Sequence, residues 1–367
     1  MKRVRIQDLR PGMKTAEDVF SYNNQLIVPK GSVLDDKIIT RLEFYSVLAI
    51  RITDEVENEE FDFSSSQKSE GEVSSESSYS KRIRESKQFK RFEKSFLDST
   101  ENFKKTLKDI SEGGADIDTD KLVHSVTDMI AEDMTSISVF DMLHNMRQYD
   151  DFTYMHSMNV SLICNVFAKW LNMSEEDAQI LTLGGLLHDI GKLRIPDNII
   201  RKPDKLSPAE YNIIKTHSVQ GFNMLKDKNI DDNIKQCALM HHERCDGSGY
   251  PLGLSGEKIN SYAKIVAIAD VYDAMTAARI YRGPLCPFKV IGIFESEGLQ
   301  KYDSRYILTF LEHVATTYMN NRVKLNNGLE GDVVFMNANQ YSRPMVQCGD
   351  RFIDLSKERD LYIETFV

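Results

Sequence analysis

Apolar positions recur at helical spacing through most of the chain. Phe89, Phe92, Phe96 and Phe103 follow one another at near-helical intervals in a segment opened by Lys81, Arg82, Arg84, Lys87, Lys90, Arg91 and Lys94, which predicts one amphipathic helix to about Asp109. Its aromatic stripe reads as a core or a dimer seam rather than a face for stacking nucleic-acid bases. A second helix is expected from about Asp118 to Asn145, carrying His124 and His144 with no motif around them. From there to about Met319 helix follows helix. Ile163, Val166, Phe167 and Trp170 form one apolar face, and Ser174 with Asp177 and Ser207 with Glu210 read as N-terminal capping boxes.

The two ends differ. Residues 1–52 hold short apolar runs, Leu26-Ile27-Val28 and Val47-Leu48-Ala49-Ile50, broken by Pro11-Gly12 and Pro29-Lys30-Gly31, which suits a small α+β module with a helix capped by Asp35 or Asp36 and running through Phe44. Residues 322–367 pair an Asn326-Asn327-Gly328 turn with strand-like runs at Val333-Val334-Phe335, Met345-Val346 and Phe352-Ile353-Asp354-Leu355. A short β-rich appendage is expected there.

Length and charge refine this division. At 367 residues the chain exceeds one ordinary domain, and 41% hydrophobic residues is normal for a soluble protein. The apolar runs are too short to span a membrane and no signal peptide is evident, so the expected location is the cytoplasm, without membrane insertion. Five widely spaced cysteines without a CxxC pair read as reduced thiols. Of the net charge of −10, residues 53–80 supply −8, nine acids against Lys68, interleaved with nine serines. That segment reads as a flexible linker, and the nearly neutral remainder gives no sign of DNA binding.

The chemistry lies in the helical region. His241-His242 are followed by Glu243-Arg244-Cys245-Asp246-Gly247-Ser248-Gly249-Tyr250-Pro251, while His188-Asp189 stands in Leu186-Leu187-His188-Asp189-Ile190-Gly191-Lys192. His156 is expected to begin one helix, His188-Asp189 to end the next, His217 to lie within the helix opened by Ser207, His241-His242 to end another, and Asp270 and Asp273 to share a helix from about Ser261 to Ala278. Imidazole and carboxylate ligands without thiolate suit iron, manganese or zinc, and side chains from several helices converging on one point are how bundles build metal sites. The candidate ligands are His156, His188, Asp189, His217, His241, His242 and Asp270.

With the paired motifs His-Asp-Ile-Gly-Lys and His-His-Glu-Arg-x-Asp-Gly-Ser-Gly-Tyr-Pro, residues 145–320 resemble the HD-GYP phosphodiesterases, a branch of the HD metal-dependent phosphohydrolases. The resemblance implies hydrolysis of cyclic di-GMP to pGpG, and in many members onward to GMP, by a hydroxide bridging two metals. It places His156, His188, Asp189 and Asp270 on one ion and His217, His241 and His242 on the other, with Asp189 bridging and iron or manganese as the metals. It further assigns Asp189 and Lys192 to catalysis, Asp273 to orienting a histidine, Arg279 and Arg282 to phosphate contacts, and Gly249, Tyr250 and Pro251 to the pocket lip, with Tyr250 available to stack on guanine. Family members with a third metal carry a glutamate where this chain has Phe152, so two metals are expected.

Residues 1–52 resemble the small domain common before HD-GYP domains, on Leu9-Arg10-Pro11-Gly12-Met13 and Pro29-Lys30-Gly31-Ser32-Val33-Leu34. The fold expected is mainly α, an HD-type helical bundle (146–320) behind the α+β domain (1–52), linker (53–80) and helical connector (81–145), followed by the β-rich appendage (321–367). A homodimer through the connector, signalling partners, a non-hydrolytic receptor role, and a different cyclic dinucleotide such as cyclic GMP-AMP stay open at this point.

Overall fold

The computed structural model describes residues 2–6, 9–20, 26–35, 38–39, 42, 49–53, 78–112, 116–130, 134–146, 152–200, 202, 206–277 and 285–367. Most of the acidic linker, much of the helix expected after Asp35, and Arg279 and Arg282 lie outside the described residues. The chain divides into two units, Met1–Ser75 with Asp204–Tyr211, and Glu76–Pro203 with Asn212–Val367.

In the first unit β1 (Lys2–Arg5) pairs antiparallel with β4 (Ala49–Ile52), and β2 (Val19–Phe20) with β3 (Leu26–Val28). Val4, Ile6, Leu9, Ile27, Val28, Leu34, Leu42 and Ile50 are buried together as its core. The Asp35 carboxylate accepts a hydrogen bond from Ile38 N at 2.7 Å, as expected of a helix cap.

The second unit is mainly helical, and the connector is more segmented than its sequence suggests. The single helix expected over residues 81–109 is two, α1 (Ser78–Glu85) and α2 (Lys87–Ser111), because Ser86 leaves the helical region at φ −66° and ψ 145° and caps α2 by accepting from Phe89 N. Phe89, Phe92, Phe96, Phe103, Leu107 and Ile110 are buried along one side of α2, so the aromatic stripe serves this chain's own core. The helix expected over 118–145 is likewise two, α3 (Thr119–Thr127) and α4 (Ser136–Asn145).

Then come α5 (Phe152–Trp170), α6 (Glu175–Leu187), a 3-10 turn at Ile190–Arg194, α7 (Pro208–Lys215), α8 (His217–Leu225), α9 (Asp232–Met240), α10 (Ser261–Thr276), α11 (Pro287–Ile293) and α12 (Ser304–Thr317). Both capping boxes form: Ser174 Oγ accepts from Asp177 N, and Ser207 and Glu210 exchange backbone-to-side-chain hydrogen bonds at 2.6 and 3.2 Å. The centre of the bundle is α5, with Met158, Val160, Leu162, Cys164 and Phe167 buried between α6 and α10. Packing all round is what a central helix requires.

A five-stranded antiparallel sheet closes the chain, in the order β8 (Arg351–Asp354), β7 (Met345–Cys348), β6 (Glu330–Phe335), β5 (Arg322–Leu325), β9 (Ile363–Phe366). Its apolar side buries Val323, Leu325, Val333, Val346 and Ile363. Phe366 packs on Tyr318 and Phe288 of the helical part, with ring centroids 5.1 and 6.1 Å apart. Among the described residues no helix is long and apolar enough to cross a membrane.

Candidate metal centre

Five helical segments deliver the candidate ligands to one place. His156 lies one turn inside α5, which begins at Phe152 rather than at the histidine. His188 is the C-cap of α6, and Asp189 leads into the 3-10 turn that carries Lys192. His217 is the first residue of α8, since the helix opened by Ser207 stops at Lys215 and does not contain it. His241 caps the C-terminus of α9, His242 follows, and Asp270 and Asp273 project from α10.

The backbone sets the tautomers. Nδ1 of His188 donates to Gly185 O at 2.7 Å, that of His217 to Ile214 O at 2.7 Å, and that of His241 to Cys237 O at 2.9 Å. In a neutral ring the proton on Nδ1 leaves Nε2 with its lone pair. Those lone pairs converge: His217 Nε2 and His241 Nε2 are 3.1 Å apart, with neither able to donate to the other in that tautomer. His156 Nδ1 instead meets Asp273 Oδ2 at 2.7 Å, while Asp273 Oδ1 accepts from Asn159 Nδ2 at 3.1 Å.

Asp189 stands between two sets of these groups. Its Oδ1 is 3.3 Å from His217 Nε2 and 3.7 Å from His241 Nε2. Its Oδ2 is 3.3 Å from His188 Nε2 and 3.7 Å from His156 Nε2, and accepts from Lys192 Nζ. Asp270 Oδ1 lies 3.0 Å from His156 Nε2 and 4.0 Å from His188 Nε2, and Asp270 Oδ2 lies 3.9 Å from His242 Nδ1. Two groups thus have ligand atoms within 4.8 Å of one another, Asp189 with His217, His241 and His242, and His156 with His188 and Asp189. His188 Nε2 and Asp189 Oδ1 are buried with no hydrogen-bond partner. Unsatisfied buried acceptors facing one another are costly unless a cation lies among them, so these residues fit a divalent metal site.

The electrostatics agree. Burial disfavours the charged forms of His217 and His241 and lowers both pKa values. Burial also opposes ionisation of Asp189 and Asp270, but Lys192 and His188 hold Asp189 well below the usual carboxylate range, and His156 does the same for Asp270. For His156 burial is likewise unfavourable to charge, yet Asp270 and Asp273 outweigh it and raise the pKa to about 9.

These opposite shifts predict an optimum for the metal-free protein. As pH falls below 6.5, the ordinary histidine value, the unfolded chain takes up protons that folded His217, His241 and His242 refuse, so stability falls by at most about 4.1 kcal/mol per pH unit, three groups at about 1.36 each. The contribution of His156 is complete below pH 6.5 and disappears as pH rises through about 9. Denaturant unfolding of chelated protein at pH 5, 6.5 and 9 should therefore peak at the middle value, and a steady rise or fall across the three would contradict it.

The loop after His242 is held by contacts that the sequence did not reveal. Glu243 is 2% exposed, and its carboxylate accepts from Leu252 N at 2.7 Å and Leu254 N at 2.9 Å. Gly249 turns so tightly that a Cβ there would stand 2.5 Å from His242 O, Glu243 Cα and Arg244 N. The folded-back loop lays the Tyr250 ring on His242, centroids 4.5 Å apart at 28°. Tyr250, expected to face guanine, thus has a ring partner within the protein. Glu243→Ala should lower stability by about 2–3 kcal/mol through two lost charge-assisted hydrogen bonds, read by denaturant unfolding, whereas Glu243→Gln should keep at least one of them.

The other histidines lie apart from this cluster. His124 is exposed beside Asp128, His144 packs on Phe366, and His313 stacks on Trp170 at 5.0 Å.

Residues 129–306 match the family model of the HD domain. Curated proteins similar to this chain include a cyclic di-GMP phosphodiesterase of Pseudomonas aeruginosa, 32% identical over 64% of this chain and 56% of the relative. A 3'3'-cGAMP-specific phosphodiesterase of Vibrio cholerae is 43% identical over 40% of this chain and 34% of its own, and a cyclic di-GMP phosphodiesterase of Thermotoga maritima 37% identical over 47% and 48%. The chain spans about a third to just over half the length of these relatives.

Proposed function

We propose that this protein is a metal-dependent phosphodiesterase that hydrolyses cyclic di-GMP to pGpG and onward to GMP. The observation that carries this reading is the Asp189 carboxylate, whose two oxygens face separate histidine sets. His156, His188, Asp189 and Asp270 would hold one ion, and His217, His241 and His242, sharing Asp189, a second, with iron or manganese suited to such nitrogen and oxygen donors. Bound there, divalent ions supply positive charge to the phosphodiester and acidify the attacking water.

The chain's own groups prepare that chemistry. Asp273, held by Asn159, fixes the His156 ring, and Lys192 sets positive charge beside Asp189. Gly249, Tyr250 and Pro251 shape the lip, with Tyr250 acting through the His242 ring. Arg279 and Arg282 remain proposed phosphate contacts, outside the described residues.

The 43% identity to a 3'3'-cGAMP-specific enzyme favours a second reading in which the same centre acts on cyclic GMP-AMP. Protein purified anaerobically and loaded with iron or manganese should convert cyclic di-GMP to pGpG and GMP, faster than it converts cyclic GMP-AMP; the reverse preference would establish the second reading. Binding of either nucleotide without turnover under both metals would make the protein a receptor instead.

A further inference from the structure

A cleft of about 310 Å³ opens between the C-terminal half of α2, the first turns of α5 and the 3-10 turn after Asp189. It is lined by Lys104, Lys105 and Lys108, by Tyr154 and Leu193, and by Glu101. The Glu101–Lys104 and Glu112–Lys108 pairs are each 3.9 Å long between side chains at least 43% exposed, so water screens most of both attractions and the lining stays cationic.

Tyr154 supplies an aromatic wall. Phe103 packs against it at 84°, and Lys104 Nζ stands 5.4 Å from the ring centroid. The guanidinium of Arg194 donates to Ser111 O at 3.0 Å and fastens the end of α2 to the 3-10 turn. Tyr154 and His156 are two positions apart on α5, about 200° around the helix, so this cleft is separate from the metal centre.

We infer that the cleft is a second nucleotide site, built for a nucleoside monophosphate. A base stacks on Tyr154, because every base has a face that an aromatic ring can take. The phosphate sits among Lys104, Lys105 and Lys108, whose ammonium groups serve as mobile point charges for it. Its volume is at the low end of small-molecule sites, roughly 300–1,000 Å³, which suits one nucleotide better than a whole cyclic dinucleotide. Leu193 borders the cleft next to Lys192, which pairs with Asp189, so the ligand would lie against the turn that carries that contact. That the ligand is of the same chemical class as the final hydrolysis product rests on the proposed function; the binding itself does not.

Calorimetric titration of guanosine monophosphate into the full chain, with metals present and with metals chelated, tests the assignment without relying on turnover. Binding at the cleft should survive chelation, weaken about tenfold or more in Lys105→Glu/Lys108→Glu and in Tyr154→Leu, and exceed that of inorganic phosphate. Unchanged affinity in the charge-reversed variant, binding that vanishes on chelation, or inorganic phosphate binding as tightly as the nucleotide would each overturn it. An absence of phosphodiesterase turnover would leave the result standing.

Discussion

Asp189→Asn should lower turnover of the cyclic dinucleotide by about a thousandfold or more, about 4 kcal/mol in the barrier at about 1.36 kcal/mol per tenfold. The substitution keeps the side chain's shape and changes what it offers. One carboxylate oxygen faces His217 and His241 while the other faces His156, His188 and Lys192. An amide has only one oxygen, so its NH2 must be turned toward one of those sets. On the Oδ1 side that NH2 replaces an anionic acceptor with a donor, and on the Oδ2 side it also meets the partly buried Lys192 ammonium, which loses its carboxylate partner. Metal analysis should find fewer ions per chain than in the parent, with the far-UV spectrum unchanged. Full metal content together with parental turnover would remove Asp189 from the proposed bridging place.

The largest stability effect is expected at Gly191. A Cβ at this position would lie 1.9 Å from His217 O, 2.4 Å from Gly221 N and 2.8 Å from His217 C. All three are backbone atoms of α8, so no side chain can swing aside to make room. Gly191→Ala must therefore push the 3-10 turn and α8 apart, at about 3 kcal/mol or more, toward the upper end of overpacking costs. For a chain of 367 residues, at about 2.1 cal/mol/K of unfolding entropy per residue, that corresponds to a fall of roughly 4 °C or more in Tm. His217 moves with α8, so metal content should fall as well. An unchanged melting curve would show that the two segments have room to separate.

The same glycine separates what was legible in the sequence from what was not. The His-Asp-Ile-Gly-Lys motif announced a candidate metal-ligand pair, but nothing in it assigned its glycine a packing role. Its close approach to His217 joins residues 26 positions apart, and no local pattern reports that. The break between α7 and α8 was missed for a related reason: Lys215-Thr216-His217 contains no glycine or proline to mark it. Ser86 could have been read as an N-cap, but the basic residues from Lys81 to Lys94 run past it on both sides and hid the join between α1 and α2.

Within the candidate site, residue types could be read and partnerships could not. Asn159, three positions after His156 on α5, looked like an ordinary polar residue until α10 brought Asp273 against it. Glu243 stood inside the most conspicuous motif, yet its role depends on the chain folding back nine and eleven residues later. Tyr250 likewise has its ring partner, His242, only because Gly249 allows that return.

The sequence by itself determined a mainly helical chain with β-rich ends, and a donor set of imidazoles and carboxylates, because helical periodicity and paired motifs are local properties that survive without coordinates. Tertiary structure alone decided that Asp189 faces two histidine sets, that backbone carbonyls fix three of the rings with Nε2 turned inward, and that the loop after His242 stacks on it. The physical reason is range: a hydrogen bond or a metal ligand is set to within a few tenths of an ångström by segments far apart in the chain, and only their packing brings them to that distance.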